Sequence, residues 1–386
     1  MSGVILRSAR VLEGEDLNPV ENGAVVVCGG LIEFAGPSRE ALELYPAYTV
    51  LDLGQVVLLP GLIDCHSHTS MDAKVAGHLD MMNDTAPELT VRAVRYARED
   101  IEAGITTARI LGDKHYVDVA VRAAINAGEI PGPRLLVAGI GMRAVHGHGF
   151  VGVPHTGADE LRKTCRENML RKVDWLKIFV TAGAPPVGSA HIPSFLSLEE
   201  IETVSGEAKR FGIRTSAHCI GGGGLTDCVQ AGIDVIDHAY CATDDDLKLI
   251  RDKGRSICLT PSVFMDLERN TKNPPQVARN TELGRQRVIE VMHKIVTSGV
   301  FYAIGSDALH GCLALEAAYT VELGASAREA LLGLTVKAAA LCGVGDRGCL
   351  AAGKLADIIA AEGDPRESIE NLKKIVFVMK GGIRYR

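Results

Sequence analysis

Aromatic side chains are scarce in this sequence: Phe, Tyr and Trp make up 4% of its 386 residues, and there is a single tryptophan. A chain this long can still bury a large core, and at 47% hydrophobic residues that core must be mainly aliphatic. Positive charge is not in excess either. Lys and Arg number 41 against 48 Asp and Glu, a net charge of −7, and there is no basic cluster. This balance favours solubility and argues against a nucleic-acid surface. No apolar run reaches membrane-spanning length. The N-terminal MSGVILRSARVLEG lacks the apolar core and cleavage pattern of a secretory signal. The ten cysteines form no compact spacing framework, and several lie in apolar runs such as SICLTP and AHCIG, as buried thiols of a reducing compartment do. A nucleotide-binding loop is also missing: IGGGGL at 220–225 has neither GxGxxG spacing nor a P-loop lysine, and reads as a loop that gives His218 room. The expectation is a cytoplasmic protein that acts on a small molecule, without nucleic-acid or membrane partners, as a homo-oligomer.

What is present is a repeating unit. Between residues 60 and 340 a short apolar strand is followed by a loop and an amphipathic helix. The strands are GLIDCHSH (61–68), TTARIL (106–111), RLLVAG (134–139), WLKIFV (175–180), RTSAHC (214–219), DVIDHA (234–239), SICLTP (256–261) and FYAIGSD (301–307). Helical patterns such as APELTVRAVRYAREDIEAG and SLEEIETVSGEAKRFG separate them, the second opened by a Ser197–Glu200 capping box and closed at Gly212. Eight such units predict an α/β fold, a (β/α)8 TIM barrel, with a doubly wound open sheet as the alternative. Residues 1–59 and 350–386 read instead as short strands and turns. Neither end can bury two β faces alone, so together they are expected to form one small discontinuous β-sandwich beside a barrel of residues 60–349.

In a TIM barrel, chemistry sits at the C-terminal strand ends. Alternation along LLPGLIDCHSHTS puts His66 and His68 on one side and Cys65 and Ser67 on the other, and paired neutral imidazoles suit a divalent metal such as zinc. The fifth strand ends in His218, the sixth in His238, the eighth in Asp307. Lys177 stands inside the apolar WLKIFV, where an unpaired ammonium is costly. Three roles are open to it: a base of depressed pKa, a partner of Asp307, or a carbamate formed with carbon dioxide.

With PGLIDCHSH, LKIFVTAG, AHCIG, IDHAY, GSD and GKLADIIA in this order, the chain resembles the binuclear-metal branch of the amidohydrolase superfamily, and within it the prolidase-like and imidazolonepropionase-like members. The resemblance covers nearly the whole chain. It implies two divalent ions, as Zn2+, with His66, His68 and Asp307 on one, His218 and His238 on the other, and carboxylated Lys177 and a hydroxide bridging both. It further implies that Asp307 shuttles a proton from water to the leaving group. His148 falls where the family's strand-three histidine meets the substrate, with His146 beside it. Tyr240, on the same side as His238, is an oxyanion donor candidate. The remaining histidines, His78 among them, read as surface or loop residues, with His310 close enough to Asp307 to reach the mouth. The implied reaction is hydrolysis of the C–N bond of a dipeptide or N-acyl amino acid, with Arg143 and Arg269 as candidates for a substrate carboxylate. A cyclic-amide or imidazolone-type ring hydrolase, or a heterocycle deaminase, is the alternative, and a non-catalytic metal-binding scaffold the third reading.

Overall fold

Every strand expected between 60 and 307 forms, and all eight run parallel to their neighbours, in a computed structural model that describes residues 3–186 and 191–386. They divide between two sheets. One carries Leu62–Ser67, Ile105–Ile110 and Arg134–Val137. The other runs Val153–His155, Met142–Ala144, Trp175–Phe179, Arg214–Cys219, Val235–His238, Ser256–Leu259 and Tyr302–Ile304. The architecture is α/β with parallel sheets, but the backbone ladder is interrupted twice.

Each interruption has a local cause. After Val137 the chain turns through Gly139 at φ +66, where an added Cβ would lie 2.9 Å from Asn168 Oδ1, and resumes at Met142. Asp174 bridges the two sheets there: its N–H donates to Val137 O at 2.8 Å, and its Oδ2 accepts from the Val137 N–H at 2.8 Å. At the other gap Asp307 and Ala308 leave the β region, at φ +50 and +65. The Asp64 carboxylate takes Ser306 N (3.0 Å) and Oγ (2.6 Å), while the Ser306 and Asp307 N–H groups donate to His66 O.

The helices follow their caps. Ser197 and Glu200 form the expected box at the start of Leu198–Phe211, and Gly212 ends it at φ +70. The segment at 220–225 read as a loop is partly helical. The glycine run opens the helix Gly223–Ala231, with Gly221 and Gly222 at positive φ making the turn before it. The stretch after 261 holds the helices Ser262–Met265 and Leu267–Thr271 and the start of Pro275–Thr297, where proline at the first helical position is favourable. Residues 187–190, between Phe179 and the helix Leu198–Phe211, lie outside the described residues. No helix among them is long and apolar enough to cross a membrane.

Strands from both chain ends pair in one six-stranded sheet, in the order Ile383–Arg384, Ile375–Lys380, Ile358–Ala361, Val57–Pro60, Arg10–Glu13, Asn18–Glu21. A four-stranded sheet of residues from 4 to 52 faces it. Alternation divides the six-stranded sheet cleanly. Leu58, Ile358, Ala360 and Phe377 pack into a small core with Val25 and Val27, whereas Leu59, Ile359, Ala361 and Val378 join the large core of the parallel sheets.

Candidate active site

A cavity of about 300 Å³ lies at the C-terminal ends of the parallel strands. His66 and His68 enter it from the end of Leu62–Ser67, as period-two alternation requires. His218 and His238 arrive from the next sheet, and Asp307 from the residues after Tyr302–Ile304. Two of these side chains are aimed by left-handed backbone. His238 and Ala239 have φ +77 and +52, matching the pair Asp307–Ala308 across the cavity. Such conformations cost about 1–3 kcal/mol each in non-glycine residues and cluster where function needs them. Glycine meets a different demand at Gly305: a Cβ there would lie 2.5 Å from the His66 backbone nitrogen.

The ligating atoms of His66, His238 and Asp307 all fall within 4.8 Å of one another. His66 Nε2 lies 3.3 Å and His68 Nε2 3.6 Å from Asp307 Oδ1. Hydrogen bonds behind the rings set their orientation. His68 Nδ1 donates to Gly112 O at 2.9 Å, and His238 Nδ1 meets Thr260 Oγ1 at 2.8 Å, which leaves both Nε2 atoms facing inward. The loop beyond His68 is held by the Asp113 carboxylate, which accepts from Thr69 and Ser70 through backbone and hydroxyl groups. The His218 ring stands 4.7 Å from His238 and 4.6 Å from His148. Its Nε2 points to Ala182 O at 3.0 Å, a contact that must give way if that nitrogen is to ligate.

Electrostatics keep these groups ready to bind a cation. Burial, with neighbouring cationic groups, holds His218 and His238 well below the usual imidazole range. Burial opposes ionisation of Asp307, but hydrogen bonds from His66 and His68 outweigh it and keep the carboxyl well below its usual range. Imidazoles gathered around a carboxylate are the donor set of a borderline divalent metal. His66 Nδ1 is buried without a hydrogen-bond partner, though Asp237 Oδ1 lies 3.3 Å away. The residues present therefore fit a metal.

Lys177 is fully buried and its ammonium pairs with Asp237, not with Asp307. Burial pulls its pKa down against the attraction of Asp237. Asp237 also takes Arg109 Nη2 at 3.1 Å and Ser216 Oγ at 2.6 Å. Despite its burial, Lys177, His66 and Arg109 hold its carboxyl well below the usual range. Asp237 and Arg109 escape a reading of the sequence, yet Arg109 carries the signal that singles out Lys177: a charge inside an apolar strand, here ITTARI.

Other expected contacts are redistributed. His148 lines the cavity, and burial lowers its pKa to about 4. The Tyr240 hydroxyl donates to Thr260 O at 2.9 Å, so its proton is committed away from the substrate space until that bond breaks. Arg269 lines the cavity, but its guanidinium is already held by Ser262 Oγ, Ser306 O and Asp307 O, and it clamps the strand end that carries Asp307. Arg143 is not among the lining residues; its Nη1 caps the carbonyls of Ala144, Val145 and Gly147. His146 is exposed against Phe195. His310 does not reach the mouth: it is 2% exposed, stacked on Tyr96 and bonded to Asp100 and Met71 O. His78, read from sequence as a surface or loop residue, does lie in the loop after the first strand, but it is buried in the cavity wall.

Against known proteins, ochratoxinase of Aspergillus niger is 27% identical across 95% of this chain and 83% of its own. Imidazolonepropionase of Pseudomonas putida is 26% identical across 88% of each. Among solved structures, a Xaa-Pro dipeptidase with methionine bound in its active site superposes with a TM-score of 0.86 at 26% identity over the whole of both chains. Aspergillus niger ochratoxinase, at 24% identity over 100% of this chain and 96% of its own, superposes at 0.88 and speaks to the fold alone. The family model described as amidohydrolase matches residues 57–384, which takes in each histidine and Asp307 of the cavity, and the buried Lys177. By that match, the chain belongs to the amidohydrolase family.

Proposed function

We propose that this protein is a metal-dependent hydrolase that cleaves the amide bond of a small substrate such as a dipeptide or N-acyl amino acid. The observation that carries this reading is the convergence of His66, His68, His238 and Asp307 on one cavity of small-molecule size. The eight parallel strands act in it as one closed barrel, with both chain ends forming a composite β domain. Two divalent ions, as zinc, belong to the reading: one on His66, His68 and Asp307, the other on His218 and His238, with carboxylated Lys177 shared. When bound, such ions acidify water and polarise a scissile carbonyl.

The protein's own groups do the rest. Asp307 takes the proton of the attacking water and passes it to the departing amine; a carboxyl of depressed pKa is a strong acid once protonated, which suits the second transfer. Arg269 holds the Asp307 backbone in place for both. Burial lowers the pKa of Lys177 and so raises the share of free amine, the form that adds carbon dioxide with loss of a proton. Once that amine becomes an anionic carbamate, Arg109 remains to balance Asp237.

Ring opening of a cyclic amide is the second reading, favoured by the similarity to imidazolonepropionase. The test is elemental analysis of the purified protein together with a panel of dipeptides, N-acyl amino acids and cyclic amides. About two divalent ions per chain and hydrolysis of open-chain amides are expected. A metal-loaded protein that opens only rings selects the second reading, and one that binds no divalent ion overturns both.

A further inference from the structure

Part of the cavity wall is built by residues that are not among the proposed metal ligands. Met71, His78 and Leu79 come from the loop after the first strand, and Val277, Asn280 and Thr281 from the helix Pro275–Thr297. His78 is 5% exposed. Its Nδ1 lies 2.9 Å from Val75 O. A carbonyl accepts only, so Nδ1 must carry the proton and donate. In a neutral ring the other nitrogen, Nε2, is then a bare acceptor. Burial lowers the pKa of His78, and Arg269 acts in the same direction, which keeps the ring neutral. Among the described residues no protein donor is bonded to Nε2.

We infer that His78 is a specificity-determining residue whose Nε2 accepts a hydrogen bond from a hydroxyl donor on the substrate. The inference rests on the hydrolase reading of this cavity and names a feature of its substrate. His78, Arg269 and Asp307 line the same cavity, so the donor belongs to the substrate whose proton transfers Asp307 serves. A buried acceptor rejects a ligand that lacks the donor, because the nitrogen then loses its water and gains nothing. A methyl ether in place of a hydroxyl is enough to reveal this.

The experiment uses N-benzoyl-L-serine and N-benzoyl-L-tyrosine with their O-methyl ethers, tested on the metal-loaded protein and its His78→Phe and His78→Gln variants. The wild type is expected to favour the hydroxyl member of at least one pair by roughly tenfold or more in kcat/KM. His78→Phe, which keeps a flat ring without the acceptor, should erase that preference and leave the ether nearly unaffected. His78→Gln, whose carbonyl can accept, should restore part of it. No preference in either pair, or an equal loss on both members in His78→Phe, overturns the inference and makes His78 a packing residue. If no probe is cleaved, dissociation constants of the same pairs decide by the same pattern. Absence of cleavage alone then counts against the hydrolase reading and not against the acceptor.

Discussion

Asp307 is asked to hold a metal and to move a proton, and the two tasks separate in one substitution. Asp307→Asn keeps an oxygen that can ligate weakly and loses the group that exchanges protons near neutral pH. The expected result is a fall in kcat of about 10²–10⁴ with little change in metal content. Paired measurements of metal stoichiometry and turnover check it, and turnover that survives with the metal in place assigns the proton to another group. Glu316 is a different case. It is fully buried, accepts the Ser262 N–H at 2.9 Å, and has a second oxygen without a partner. Burial pushes its pKa up to about 8, against the opposing pull of Arg269. The folded protein therefore holds this proton at pH values where the unfolded chain, near 4.5, has released it. Stability from this group is greatest below about pH 4.5, falls as pH rises, and levels off above about 8. Glu316→Gln cannot titrate, so its stability relative to wild type should rise between pH 5 and pH 9 by about 3–5 kcal/mol. Urea unfolding of both proteins at the two pH values reads this directly; an advantage that shrinks as pH rises means that Glu316 is ionised and paired.

At the scale of elements, the first and eighth strands meet where Gly305 lies against His66. An added Cβ finds backbone there rather than a flexible side chain, 2.5 Å from His66 N. Gly305→Ala should therefore cost about 1–3 kcal/mol of stability and lower metal content by pushing His66 out of line. Gly206→Ala is the control: it lies in Leu198–Phe211 with nothing within 4 Å of the new carbon, and should be neutral or stabilising by about 0.5–1 kcal/mol. If Gly305→Ala is as harmless as the control, the two strands are less tightly joined than the geometry indicates. The same junction shows what the sequence could disclose. Period-two alternation places His66 and His68 together, and the apolar runs mark all eight strands, because each signal is local. The aim of His238 and Asp307 depends on left-handed φ values at His238–Ala239 and Asp307–Ala308, and no glycine marks either pair. The partner of Lys177 was equally hidden. Asp237 reads as the polar residue before a ligand, and only packing of neighbouring strands sets it against Lys177, Arg109 and Ser216. His78 was missed for a similar reason: its burial comes from the loop folding back over the cavity, which no periodicity encodes.

Across the whole molecule, Val57–Pro60 is one of the central strands of the six-stranded sheet that serve both cores. It pairs with Arg10–Glu13 on one side and Ile358–Ala361 on the other, and its residues alternate between the two cores. Leu58 points into the small core and Leu59 into the large one, and both are fully buried. Removing either side chain should cost about 2–5 kcal/mol. The informative question is which part of the protein reports the loss. The single tryptophan, Trp175, is buried in the parallel strand Trp175–Phe179, away from the small core. Its fluorescence follows the unfolding of the parallel sheets, whereas far-ultraviolet circular dichroism follows the whole chain. If the six-stranded sheet were a separate domain joined by a linker, Leu58→Ala would weaken that domain and leave the Trp175 transition in place. Because one strand serves both faces, with no linker between them, a single cooperative unit is expected. Leu58→Ala and Leu59→Ala should then both shift the Trp175 transition to lower urea, and fluorescence and circular dichroism should coincide in each variant. A Trp175 transition unmoved by Leu58→Ala, with the dichroism change split in two, means that the two cores fold independently despite sharing a strand.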